Sequence, residues 1–127
     1  MRPLKILIAD DNPDGRAILE RFLTRKGHEA VFVADGKACL DRVLGEDFDI
    51  VLLDMNMPVM DGWRAAELIR AQKTYQELPI IAFTAYAMQG DREKCLDAGC
   101  SDYLSKPIDF ALLAAMLEKH VRDAHAQ

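Results

Sequence analysis

The chain has 127 residues, half of them apolar and 29% charged, with a net charge of −5 and a pI near 5.1. That is room for one domain with a real core, too apolar a composition for disorder, and no Lys/Arg stripe to grip nucleic acid. No apolar run is long enough to cross a membrane, the N-terminal run is too short for a signal peptide, and an odd three cysteines, Cys39, Cys95 and Cys100, lack C-x-x-C spacing, which argues for buried thiols in a reducing, cytoplasmic setting.

The first apolar run, Ile6 to Ala9, predicts a strand. Asn12 as cap, Pro13 in the first turn and Gly27 as stop predict a helix over Pro13 to Lys26. Its inward side is Ile18, Leu19, Phe22 and Leu23. Ala30 to Val33 is the second strand and ends in a plain turn, Ala34-Asp35-Gly36. Lys37 to Leu44 follows as a helix with Leu40, Val43 and Leu44 inward. Ile50 to Leu53 is the third strand. Gly62 to Gln72, capped by Asp61, is a helix that buries Ala65, Ala66, Leu68 and Ile69. Ile80 to Phe83 is the fourth strand. Met88 to Ala98 is a weaker helix, with Gly90 inside it and only Met88, Cys95 and Leu96 to bury, so it is expected to be lightly held. Tyr103-Leu104 is a fifth strand too short for periodicity alone to decide. Asp109 to Arg122 carries Phe110, Leu113, Met116, Leu117 and Val121, and the Ala-His tail after Val121 is expected to fray.

The first, third and fourth strands are continuously aliphatic, the pattern of strands covered on both faces. Strands alternating with helices imply parallel pairing, right-handed crossovers and helices on both faces of an α/β sheet. The strand order of such a sheet reverses somewhere, and ligands bind beyond the carboxyl ends of the strands at that point.

The residues just past the strand ends are Asp10 and Asp11, then Asp54, Thr84 and Lys106. Singly each has an ordinary explanation: a helix cap, a turn, a β-branched residue, a solvated lysine. Met55 and Met57 read as packing. Together they bring three acids, a hydroxyl and an ammonium to one edge. Two carboxylates about 4 Å apart repel by about 4 kcal/mol at an effective dielectric near 20, so the group needs a cation. No histidine is among them, which points from zinc to a hard, oxygen-seeking ion such as magnesium. That ion also neutralises an incoming phosphoryl group. Asp54 then suits a carboxylate nucleophile, Lys106 a charge balance and Thr84 a hydroxyl donor.

The segments ILIADDN, LLDMNMPVMDG, IAFTAYA and YLSKPID resemble, in order and spacing, the receiver domain of two-component response regulators, the CheY-like family, from about Leu4 to about Val121. The resemblance implies a (βα)5 doubly wound, flavodoxin-like fold with a five-stranded parallel sheet in the order 2-1-3-4-5. It implies phosphorylation of Asp54, direct magnesium binding by Asp11 and Asp54, with Asp10 near the ion through water, and a further ligand in the backbone carbonyl of Asn56. Manganese would substitute for magnesium. It makes Thr84 and Tyr103 a switch pair, has Lys106 bridge to the phosphoryl group, and fits a cis Lys106-Pro107 bond. It places Asn56 and Tyr86 beside the path of the hydrolytic water, where a bulky Tyr86 would slow loss of the phosphoryl group. Tyr103 would turn from solvent into the space Thr84 leaves.

The expected partners are a histidine kinase or histidine phosphotransfer protein and a downstream protein on the face from Met88–Ala98 to Tyr103–Arg122, with neither nucleic acid nor membrane. The expected state is a monomer or a weak, phosphorylation-dependent dimer. Residues 1–127 read as one receiver domain without an output domain. A stand-alone regulator is favoured, and a receiver cut from a hybrid histidine kinase would look almost the same. On either reading the chain accepts phosphate without being an enzyme in the ordinary sense. One rival, an Asp-nucleophile metal-dependent phosphohydrolase, wants an acid two residues after the nucleophile, where Asn56 stands. A flavodoxin-like FMN binder wants a phosphate cradle where DDNPDG would repel it. A docking-only pseudo-receiver is disfavoured by the intact acids and Lys106.

Overall fold

A computed structural model describes residues 2–85 and 90–125. Lys5–Ala9 (β1), Glu29–Val33 (β2), Ile50–Asp54 (β3), Ile80–Thr84 (β4) and Asp102–Ser105 (β5) pair in parallel in the order β2-β1-β3-β4-β5. Between them run Pro13–Arg25 (α1), Gly36–Gly45 (α2), Gly62–Arg70 (α3) and Asp91–Asp97 (α4), and Phe110–His125 (α5) closes the chain. Side chains alternate across the sheet, as the period of two requires. Leu7, Val51, Leu53, Ile80 and Ala82 meet Val43 of α2, Ala66 and Ile69 of α3, and Cys95 of α4. Ile6, Ile8, Leu52, Ile81 and Phe83 meet Leu19 and Leu23 of α1 and Leu113 and Leu117 of α5. All residues of β3 and β4 are buried, whereas β2 and β5, at the edges, are only partly so. Each fully buried Leu, Ile or Phe stabilises the fold by ~1.5–3 kcal/mol, so the central strands anchor whatever stands at their ends. The order reverses between β1 and β3, which both leave the sheet at Asp10 and Asp54.

The caps fall where their residues call for them. The Asn12 side chain accepts from Asp14 N, Asp61 from Arg64 N, and Gly27 stops α1 at φ 87°. Asp35, expected only as a turn, also caps α2 by accepting from Ala38 N at 2.7 Å. Two inward assignments need correction. Ile18 is 59% exposed and Leu44 47% exposed. The buried stripes run Leu19–Leu23 and Cys39–Val43, four residues apart, and each misplaced residue lies one position off its stripe, about 100° around the helix. α5 continues past Val121 to His125, where the sequence led to the expectation of fraying, and the last two residues lie outside the described residues. A turn of 3-10 helix at Lys73–Tyr75 had no sequence signal. The described part of α4 buries only Cys95, which fits a lightly held helix. Tyr86 and Met88 lie outside the described residues. All three cysteines are buried and free. No helix among the described residues is long and apolar enough to cross a membrane.

Candidate functional site

Two buried carboxylates and one lysine form the centre. Asp10 follows β1 and is 4% exposed; Asp54 ends β3 and is 3% exposed. Lys106, one residue past β5, places Nζ 2.9 Å from Asp54 Oδ2 and 3.8 Å from Asp10 Oδ1. Its ammonium also lies 5.1 Å from the Phe83 ring centroid, a face that attracts cations. The Lys106 N–H donates to Thr84 O at 2.8 Å, and the Lys106-Pro107 bond is cis, as expected. The other Asp54 oxygen, Oδ1, accepts the backbone N–H of Asn56 at 2.9 Å.

Burial pushes the Asp10 carboxyl above its ordinary pKa of 3.8. The Asn12 N–H and Lys106 oppose this, while the charges of Asp54 and Asp11 reinforce it. Asp11 is exposed at the rim, and single carboxylate oxygens of Asp10, Asp11 and Asp54 all lie within 4.8 Å of one another. An all-oxygen set of that spacing fits a hard divalent cation rather than zinc. Gly62 lets α3 begin against the end of β3, since a Cβ there would stand 2.5 Å from the Asp54 carbonyl oxygen.

Thr84 ends β4 beside Asp54 and is 1% exposed. The side chain of Asn56, of which the sequence marked only the carbonyl and the position, donates from Nδ2 to Thr84 Oγ1 at 2.8 Å. Nothing in the spacing of 28 residues signals that contact; it needs β3 and β4 to be neighbours. Tyr103 differs from expectation. Its hydroxyl is already buried, with no hydrogen-bond partner among the described residues, because the ring packs with the cluster that contains Cys95. Burial, with Asp91 and Cys95 nearby, raises its pKa. Val59, 82% exposed, holds φ 67°, a strained setting for a β-branched residue that no local sequence signal marks. Beside Asp10 and Lys106 a cavity of about 280 Å³ is walled by Ile18, Pro107 and Phe110.

The structure thus brings together Asp10, Asp11, Asp54, Asn56, Thr84 and Lys106, with Tyr103 on the strand that leads to Lys106. Residues 6–118 match the response regulator receiver domain family. The chain is 40% identical over 121 residues to the sensor protein GacS of Pseudomonas syringae pv. syringae, a match that covers 93% of this chain and 13% of GacS. It therefore spans a small part of such curated relatives. Among solved structures, it is 40% identical, at a TM-score of 0.87, to the receiver domain of the sensor histidine kinase PA1611 from Pseudomonas aeruginosa, over 94% of this chain and 98% of that one. That crystal structure has a magnesium ion coordinated in the active-site cleft. The receiver domain of Ssk1 from Saccharomyces cerevisiae, co-crystallised with the histidine phosphotransfer signalling protein Ypd1, aligns at a TM-score of 0.87 with 26% identity, over 96% of this chain and 92% of that one.

Proposed function

The chain belongs to the response regulator receiver family, and on that premise we propose that Asp54 takes a phosphoryl group from a phosphohistidine donor and that the added charge is relayed as a change of shape. The observation that carries this is the Asp10–Lys106–Asp54 group: two buried acids held by one ammonium at the carboxyl ends of the neighbouring strands β1 and β3. In the transfer, an Asp54 oxygen forms the new O–P bond while the P–N bond of the phosphohistidine breaks. The electron pair stays on the imidazole nitrogen, which takes up a proton. Asp11 and Asp54 would hold magnesium directly, with Asp10 one water away and the Asn56 carbonyl completing the protein ligands. The bound ion supplies neutralisation of charge on the transferring oxygens. Lys106, already on Asp54 Oδ2, balances the roughly −1.5 to −2 units of charge that phosphorylation adds.

Thr84 then donates its hydroxyl to the phosphoryl group, and Tyr103 and the lightly held α4 respond, so the face of α4, β5 and α5 meets a downstream protein. The donor is a histidine kinase or a histidine phosphotransfer protein, and the three free thiols fit a cytoplasmic setting. A second reading, an intermediate within a larger hybrid sensor kinase, is favoured by the curated relatives, of which the chain matches only a fraction. The test is incubation with acetyl phosphate and magnesium followed by mass spectrometry. One acid-labile phosphoryl group per chain is expected on Asp54 and none in Asp54→Asn. Release of many phosphates per chain would instead indicate a phosphohydrolase.

A further inference from the structure

Asn56 is exposed, yet both its nitrogens are bound into the site. The backbone N–H is on Asp54 Oδ1 at 2.9 Å, and the carboxamide is on Thr84 Oγ1 at 2.8 Å. One residue therefore touches both the acid and the hydroxyl. Thr84 is β-branched and sits at the buried end of β4, so χ1 is its main remaining freedom. A hydroxyl that accepts from that carboxamide is biased toward the rotamer that makes the bond. A phosphoryl oxygen only accepts hydrogen bonds, so Thr84 can meet it only by donating, and the bond from Asn56 opposes this to the extent that χ1 must turn to aim the O–H at Asp54.

We propose that the Asn56 carboxamide is a latch that holds Thr84 in its resting rotamer, and that a group on Asp54 must draw Thr84 off this latch. The inference rests on Asp54 as phosphoacceptor and deepens that reading by naming the residue that sets how readily the switch is thrown. Asn56 acts through Thr84 and is a positioning residue. Its backbone is clipped to the very carboxylate that is modified, so a change at Asp54 disturbs the mounting of the latch as well as its catch.

The experiment titrates beryllium fluoride, a phosphoryl mimic, into the magnesium-loaded protein and follows binding by fluorine NMR. The proteins compared are the unaltered chain, Asn56→Ala, Thr84→Ala and the double variant. Loss of the latch should tighten binding in Asn56→Ala by about three- to tenfold, the worth of one neutral hydrogen bond. The same substitution should change nothing once Thr84 is alanine, a cycle that isolates their coupling. Unchanged or weaker binding in Asn56→Ala overturns the latch, as does a tightening that survives in the Thr84→Ala background. If the unaltered chain does not bind the mimic, the phosphoacceptor reading fails first and the latch with it.

Discussion

β1 and β3 lie side by side and present acids at both of their ends. At the amino ends, Glu46 meets Lys5 at 2.9 Å and Arg42 at 2.6 Å, and Asp49 meets Arg2 at 2.9 Å. Asp49 Oδ2 also accepts the Lys5 backbone N–H at 2.8 Å. At the carboxyl ends, the Lys106 ammonium lies between Asp10 and Asp54, and Asp11 adds a third carboxylate to the same cluster. The amino end is balanced within the protein and largely wet; the carboxyl end is buried and short of positive charge. The difference teaches that a deficit of counter-charge at a buried position, rather than the number of acids, marks the working end of the sheet. Such a deficit costs stability unless something from outside fills it.

The largest test removes the counter-charge at each end. Lys106→Met leaves Asp10 and Asp54 buried without a cation and should cost about 3 kcal/mol in denaturant unfolding at neutral pH. Lys5→Met should cost a small fraction of that, because Arg42 stays on Glu46 and water reaches both groups. Equal losses would erase the distinction between the two ends.

The next effect is that of a bound dication. Magnesium at 100 times its dissociation constant should add about 2.7 kcal/mol of stability and raise the melting temperature by several degrees. Asp10→Asn should lose much of that gain and Glu46→Gln none of it. A gain that survives in Asp10→Asn but not in Glu46→Gln would place the ion at the wrong end.

The sequence made the carboxyl end legible because its chemistry is carried by residue types at strand ends. Asp10, Asp54, Thr84 and Lys106 each follow an apolar run, and buried parallel strands fix where those runs stop. The strand and helix sequence was readable for the same reason, since Ile50 to Leu53 and Ile80 to Phe83 are apolar throughout. What stayed hidden depends on partners brought together by the fold. The Asn56–Thr84 bond joins the loop after β3 to the end of β4 through the β3–β4 pairing, and the Lys5–Glu46–Arg42 group joins a strand to the end of a helix. Ile18 and Leu44 were misplaced because an apolar residue one step off a helical stripe reads like a member of it. The inward Tyr103 hydroxyl depends on packing against Cys95, which no local pattern encodes.

The smallest effects have opposite signs at the two ends, and pH separates them. Asp10 has its pKa raised by burial above 3.8, so its ionisation opposes folding. That cost is fully present above its folded value and vanishes below 3.8. Glu46 has its pKa lowered from 4.5, first by the hydrogen bond from Lys5, against desolvation, and further by the charges of Arg42 and Lys5. Its contribution favours folding above 4.5 and is lost as pH falls through a folded value that lies below 4.5. With a chelator present to exclude divalent ions, Asn at position 10 keeps an acceptor for the Asn12 N–H but carries no charge. Asp10→Asn should therefore melt above the unaltered chain at pH 7, with the gap closing as the pH approaches 3.8. Glu46→Gln should melt slightly below it at pH 7, with its gap closing below pH 4.5 and shrinking with added salt, as an exposed ion pair does. Melting shifts of the same sign at pH 7 would mean that the carboxyl end carries no deficit, and the electrostatic distinction between the two ends of the sheet would go with it.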